Sequence, residues 1–198
     1  EAYRAATRRG VSTKGMVEAS GLVLQQSDRL QLLIHQSLAG KIPVLLVENR
    51  ADFVALVQAL CKRNEPIPIP VSMGACLVSG LNNWDRIHQY RQQWSREQDN
   101  SNSEIDWDKE FKRIIPQKHI YQDRLIILSN GFYSGVTAED IGINESKWLH
   151  LSQQIRLEHE CTHYLTLRLF GSMRNKMLDE LIADYRGIVA ANGYYRAD

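Results

Sequence analysis

The sequence is poor in cysteine. The three it has, Cys61, Cys76 and Cys161, are an odd number without paired spacing. That excludes a secreted scaffold held together by disulfides and makes a reducing, cytoplasmic setting the expectation. No apolar run approaches the roughly 20 residues a membrane-spanning helix needs, and no signal-like segment is visible, so no membrane partner is expected. The chain starts at Glu1 rather than Met, which leaves room for a targeting segment ahead of it. An excess of one charge is also missing: 24 Lys and Arg stand against 23 Asp and Glu. The basic residues form no run that would track phosphates, so no nucleic-acid partner is expected either. Internal repeats are absent.

What is present is an ordinary globular balance, 43% hydrophobic and 24% charged over 198 residues. One domain over 1–198 is expected, with room for an N-terminal α/β lobe at 1–65 and a second lobe at 120–198. A short helix spans Glu1 to Arg9 and breaks at Gly10. Ser27 is read as the cap of a helix to Ala39, with Leu30, Leu33, Ile34 and Leu38 on one face and Gly40 as its stop. Ile42–Val47 reads as a buried strand and Ala51–Cys61 as a helix. Pro66, Pro68 and Pro70 make an extended connector. Val71–Ser79 is expected as a strand, with Gly74 at a bulge or close approach. Helices follow from Asn82 or Asn83 to Arg96 and from Trp107 to Ile115, separated by the polar stretch 98–103, read as a solvated loop. Leu125–Leu128 is the clearest strand. Asn130-Gly131 after it signals a hairpin turn.

The chemistry gathers in His159-Glu160-Cys161-Thr162-His163, an H-E-x-x-H string inside a helical pattern that starts at Ser146 or Ser152 and stops at Gly171. On a helix, positions four apart lie above one another, so His159 and His163 can present two imidazole nitrogens to one ion. Glu160 lies a step round the helix, where it can act on a metal-bound water without being a ligand. Cys161 is read as a small core residue. A second helix, from about Met177 to Asn192, carries Glu180 seventeen residues beyond His163 and Asp184 one turn later. Glu180 is the candidate third ligand; Asp179 and Asp184 are neighbours that could substitute for it.

This constellation, H-E-x-x-H followed by E-x-x-x-D, resembles the gluzincin metallopeptidases. The resemblance covers residues 130–192. It implies an α+β, zincin-like fold, with a mixed sheet packed on the H-E-x-x-H helix. It further implies Zn2+ held by His159, His163 and Glu180, Glu160 as the catalytic base, and Asp184 holding the second nitrogen of His159. A metal-bound imidazole needs such an acceptor. Asn130, Gly131 and Tyr133 resemble the edge strand on which that clan lays its substrate, so they are candidate substrate-binding residues and a peptide or protein is the expected substrate. The chain departs from the clan where an oxyanion donor usually follows the Glu ligand; Tyr133, His119, Tyr185, Tyr194 and Tyr195 are the candidates.

A zinc-dependent peptidase is therefore the leading expectation. The alternative is a zincin-like module that binds metal and serves as a regulatory or interaction domain without turnover. A purely structural helix pair is the third. Substrate preference, native metal and oligomeric state stay open.

Overall fold

The computed structural model describes residues 1–16, 23–99, 106–171 and 175–195. It is an α+β structure with one four-stranded mixed sheet and six α-helices among the described residues. By Cα proximity the chain forms two compact units. One comprises Glu1–Gly21 with Gly80–Asp123, the other Leu22–Ser79 with Arg124–Asp198. Both are discontinuous in sequence.

Strand β1 (Gln31–Ser37) pairs antiparallel with β2 (Gly40–Val47). Here the structure corrects the expected helix at 27–39. Only Ser27–Arg29 is helical, as a single 3-10 turn. Leu38 and Ala39 form a two-residue turn between paired Ser37 and Gly40, and Gly40 takes φ +103°. The helical spacing of Leu30, Leu33, Ile34 and Leu38 was coincidental; Leu32 and Ile34 lie exposed on an outer strand.

Strand β4 (Gln122–Ser129) runs parallel to β2, and the sheet order is β1-β2-β4-β3. Strand β3 (Ala75–Asn82) is thus the second outer strand. It runs against β4: Ser129 N–H donates to Gly74 O (2.8 Å), while Arg124 Nε, toward the other end of β4, donates to Ser79 O (3.0 Å). The hairpin expected at Asn130-Gly131 is not formed. After β4 the chain passes a bend and a 3-10 turn, and no further strand follows before the next helix.

Side chains alternate across a strand, so each buried strand feeds two layers. Ile42, Val44, Ile126 and Leu128 meet Cys161 and Tyr164 of α5 (Glu145–Phe170) on one face. Ile127 and Val47 are buried with the opposite parity, and α2 (Arg50–Cys61) buries Phe53, Leu56 and Val57. Asn49 caps α2 by accepting from Ala51 N–H and Asp52 N–H.

Helix α5 begins where Asn144 accepts the Ser146 and Lys147 N–H groups, earlier than the sequence suggested, and closes at Gly171. Helix α6 (Lys176–Asn192) is capped by Asn175 and ends at Gly193, φ +82°. These two helices pack along each other. Ala183 and Gly187 are buried on α6, and a Cβ at Gly187 would lie 2.6 Å from Ile155 O. Small residues at this spacing let the two backbones approach closely.

The other unit contains α1 (Ala2–Arg4) with a following π turn, α3 (Trp84–Asp99) and α4 (Trp107–Ile114). Its polar centre is Glu110. That carboxylate accepts from Tyr90 OH (2.6 Å) and from Arg113 through Nη2 (2.6 Å) and Nε (2.8 Å). No helix among the described residues is long and apolar enough to cross a membrane.

Candidate metal centre

Helices α5 and α6 bring His159, His163 and Glu180 together. The Nε2 atoms of the two histidines are 3.0 Å apart. Glu180 Oε2 lies 3.3 Å from His159 Nε2 and 3.4 Å from His163 Nε2. Three donor atoms therefore form a nearly equilateral triangle. A tetrahedral ion with ligands at about 2.0–2.1 Å requires donors roughly 3.3 Å apart. The histidine side chains are 15% and 16% exposed and that of Glu180 60%, so the triangle has a dry base and an open corner.

The remaining ring nitrogens both meet carboxylates. His163 Nδ1 is hydrogen-bonded to Asp179 Oδ2 at 2.9 Å. Asp179 is itself held by Thr166 Oγ1, which donates to Oδ1 at 2.8 Å. His159 Nδ1 lies 2.9 Å from Asp184 Oδ1, within ion-pair distance but off the direction of a hydrogen bond. Asp184 Oδ1 accepts from Tyr133 OH at 2.5 Å. Burial, then this hydrogen bond, pushes the Tyr133 phenol above its ordinary pKa and keeps it a donor. The hydrogen bond to Asp179 places the His163 proton on Nδ1 and turns its Nε2 lone pair toward the triangle. Donor set, spacing and outer carboxylates all fit a zinc-like divalent ion.

Glu160 is buried beside the triangle. Its Oε2 accepts the backbone N–H of Leu77 at 2.7 Å, which ties α5 to β3. Burial raises its pKa above the ordinary carboxylate range, against the pull of the two imidazoles and of Leu77 N–H. An open cleft of about 790 Å³ borders the cluster, with Ala75, Cys76 and Leu77 on one wall and Thr166 and Leu167 beyond the histidines. Cys161 is buried in the core beneath and is not part of the cluster.

The structure separates the three residues of the expected substrate edge. Strand β4, which leads into them, is interior, so it offers no open edge; the outer strand at the cleft is β3. Asn130 is exposed and lines a different cavity with Arg29 and Glu48. The Gly131 carbonyl accepts from Arg156 Nη1 (2.6 Å), and the Phe132 carbonyl from Arg156 Nη2. Only Tyr133 approaches the cluster, through Asp184. Arg156 in turn lies against Gly74, where a Cβ would meet its Cζ at 2.2 Å, so the close approach expected at Gly74 is to this guanidinium. Tyr185 and Tyr195 stack on each other, with ring centroids 5.4 Å apart.

Sequence reasoning missed three participants. Asp179 figured only as a substitute ligand, although it lies one residue before Glu180. Thr166 sits three residues after His163, a spacing that signals proximity on a helix but no role. Leu77 contributes a main-chain atom, which no residue type announces.

Over residues 1–198 the chain matches the model of a family described as a family of unknown function, DUF7005. No curated protein and no solved structure matches it.

Proposed function

The chain belongs to the DUF7005 family, and for this member we propose a zinc-dependent hydrolase, a peptidase of gluzincin type on a zincin-like fold. The observation that carries the reading is the donor triangle: three nitrogen and oxygen atoms at 3.0, 3.3 and 3.4 Å, against the roughly 3.3 Å of a tetrahedral zinc site. His159, His163 and Glu180 would hold the ion. When bound, it supplies a Lewis acid and a water acidified to near neutrality.

The protein's own groups divide the remaining work. Leu77 N–H occupies Glu160 Oε2 and leaves Oε1 to take a proton from water and return it to the leaving amine. Burial strengthens Glu160 as a base, because its ionised form is poorly solvated. Asp179 fixes the His163 imidazole by a hydrogen bond, Asp184 stands at ion-pair distance from His159, and Tyr133 holds Asp184. The outer side of β3, apart from the Leu77 N–H that Glu160 holds, supplies backbone groups along which an extended peptide can lie.

The test is metal analysis of protein purified without added metal, with turnover assayed on peptide libraries. The wild type should hold about one zinc per chain, His163→Ala should lose it, and Glu160→Gln should keep it and lose turnover. Turnover retained by zinc-loaded Glu160→Gln would refute the base assignment. Zinc bound without cleavage of any peptide would favour a regulatory module instead.

A further inference from the structure

Cys61 and Cys76 are fifteen positions apart in sequence, and their sulfur atoms lie 3.5 Å apart. Cys61 is the last residue of α2 and Cys76 is the second of β3, two regular elements with little freedom to drift. Side chains of α2 pin the connector between them at three places. Gln58 Nε2 donates to Ile67 O (3.0 Å), and Arg50 donates to Pro70 O (2.6 Å) and Met73 O (2.5 Å). Arg63 and Asn64 take left-handed backbone angles, φ 55° and 63°, and turn the chain away from the end of α2. The sulfur pair is thus built by the fold. Both residues are partly exposed, and Cys76 lines the cleft, so a small reagent can reach the pair.

We propose that Cys61 and Cys76 form an oxidant-responsive dithiol that closes to a disulfide on the wall of the cleft when it meets a hydroperoxide.

A disulfide needs its sulfurs at about 2.05 Å, so the pair must close by roughly 1.5 Å, within reach of side-chain rotation and a small strand shift. The thiolate is the reactive species. Here one sulfur accepts the other's S–H, so the first proton leaves the pair more readily than from an ordinary cysteine and the second less readily. Cys61 is accordingly lowered, helped by the charge of Lys62, and Cys76 is raised. In the first step the Cys61 thiolate attacks one oxygen of the hydroperoxide. The O–O bond breaks, the alkoxide leaves as an alcohol after taking a proton, and Cys61 becomes a sulfenic acid. The Cys76 sulfur then attacks the Cys61 sulfur, the S–O bond breaks, and water leaves with the Cys76 proton. Two thiols and one hydroperoxide give one disulfide, one alcohol and one water. Cys161, buried beneath the sheet, stays a thiol.

The proposal is independent of the metal chemistry, and so is its test. The full chain is treated with hydrogen peroxide, its intact mass is read, and it is then denatured, alkylated and digested without reduction. The expected result is an intact mass lower by two hydrogens, one cross-linked peptide pair carrying Cys61 and Cys76, and alkylated Cys161. In Cys76→Ser, the cross-link should be absent and a sulfenic acid should be trapped at Cys61 by a dimedone probe. Three alkylated cysteines, sulfonic acids in place of the cross-link, a link through Cys161, or a link between two chains would each overturn the proposal.

Discussion

Gly187→Ala adds a single methyl group that touches no proposed ligand, and it should nevertheless weaken zinc binding. The added Cβ would stand 2.6 Å from Ile155 O, with the Ile155 Cγ2 at 3.2 Å. Ordinary contact begins near 3.4 Å, so α6 must retreat from α5 by roughly 0.8 Å. The obstacle is a backbone carbonyl inside a helix, which cannot rotate away. Alanine favours helix over glycine by about 1 kcal/mol, whereas overpacking costs about 1–3 kcal/mol. The net is a loss of up to about 2 kcal/mol, seen as a lower urea midpoint at unchanged slope. Glu180 and Asp184 ride on the displaced helix, while His159 and His163 stay on the other. Metal–ligand distances tolerate only about 0.2 Å, so the shift should cost about 10–100-fold in zinc affinity, the range typical of damaged supporting contacts. A competition titration against a fluorescent chelator reads the second effect and urea unfolding the first. A variant as stable as the wild type, with zinc affinity unchanged within about twofold, would show that the close helix contact does not set the donor triangle.

Other perturbations reach separate parts of the molecule. With free zinc at a hundredfold excess over Kd, the wild type should gain about 2.7 kcal/mol, or roughly 5–11 °C in Tm, and scanning calorimetry should find no such gain in His163→Ala. Tyr133→Phe removes the 2.5 Å hydrogen bond to Asp184 and should weaken zinc binding about tenfold with little change in apo-protein stability, by the same titration. Glu110 is held below its ordinary pKa, chiefly by the Arg113 hydrogen bond. Between its folded and unfolded pKa values the unfolded chain binds more protons, so stability is present above the ordinary glutamate pKa and is lost as pH falls. Urea midpoints of Glu110→Gln across that acidic range should fall less steeply than those of the wild type. Closing the Cys61–Cys76 loop of fifteen residues should stabilise the oxidised protein by about 3 kcal/mol, measured as a raised Tm that reductant reverses.

The sequence was legible where a signal is local. Gly171 ends α5, Gly193 ends α6, and the runs at 42–47 and 125–128 lie inside β2 and β4. The grouping of His159, His163 and Glu180 follows from helical spacing plus a short connection. At 27–39 the spacing of Leu30, Leu33, Ile34 and Leu38 satisfies a helical period, although only Leu33 and Ile34 lie in β1, and pairing with β2 decides the outcome. Asn130-Gly131 carried a turn signal that the chain uses to leave the sheet rather than reverse within it. Asp179 facing His163 depends on how α6 is rotated against α5, and the neighbouring sulfurs of Cys61 and Cys76 depend on where β3 is laid. Neither relation exists until the helices and the sheet are assembled.

The bond from Leu77 N–H to Glu160 has a consequence for how this protein can vary over time. The donor belongs to the main chain, so nineteen of the twenty amino acids preserve it and proline alone removes it. Selection on the proposed base therefore asks nothing of the side chain at 77, and what limits its size and polarity is the core that Leu77 packs against. The trace of the base itself would be a forbidden residue, proline, beside the apolar preference that the core imposes, and a search for invariant side chains passes over the first.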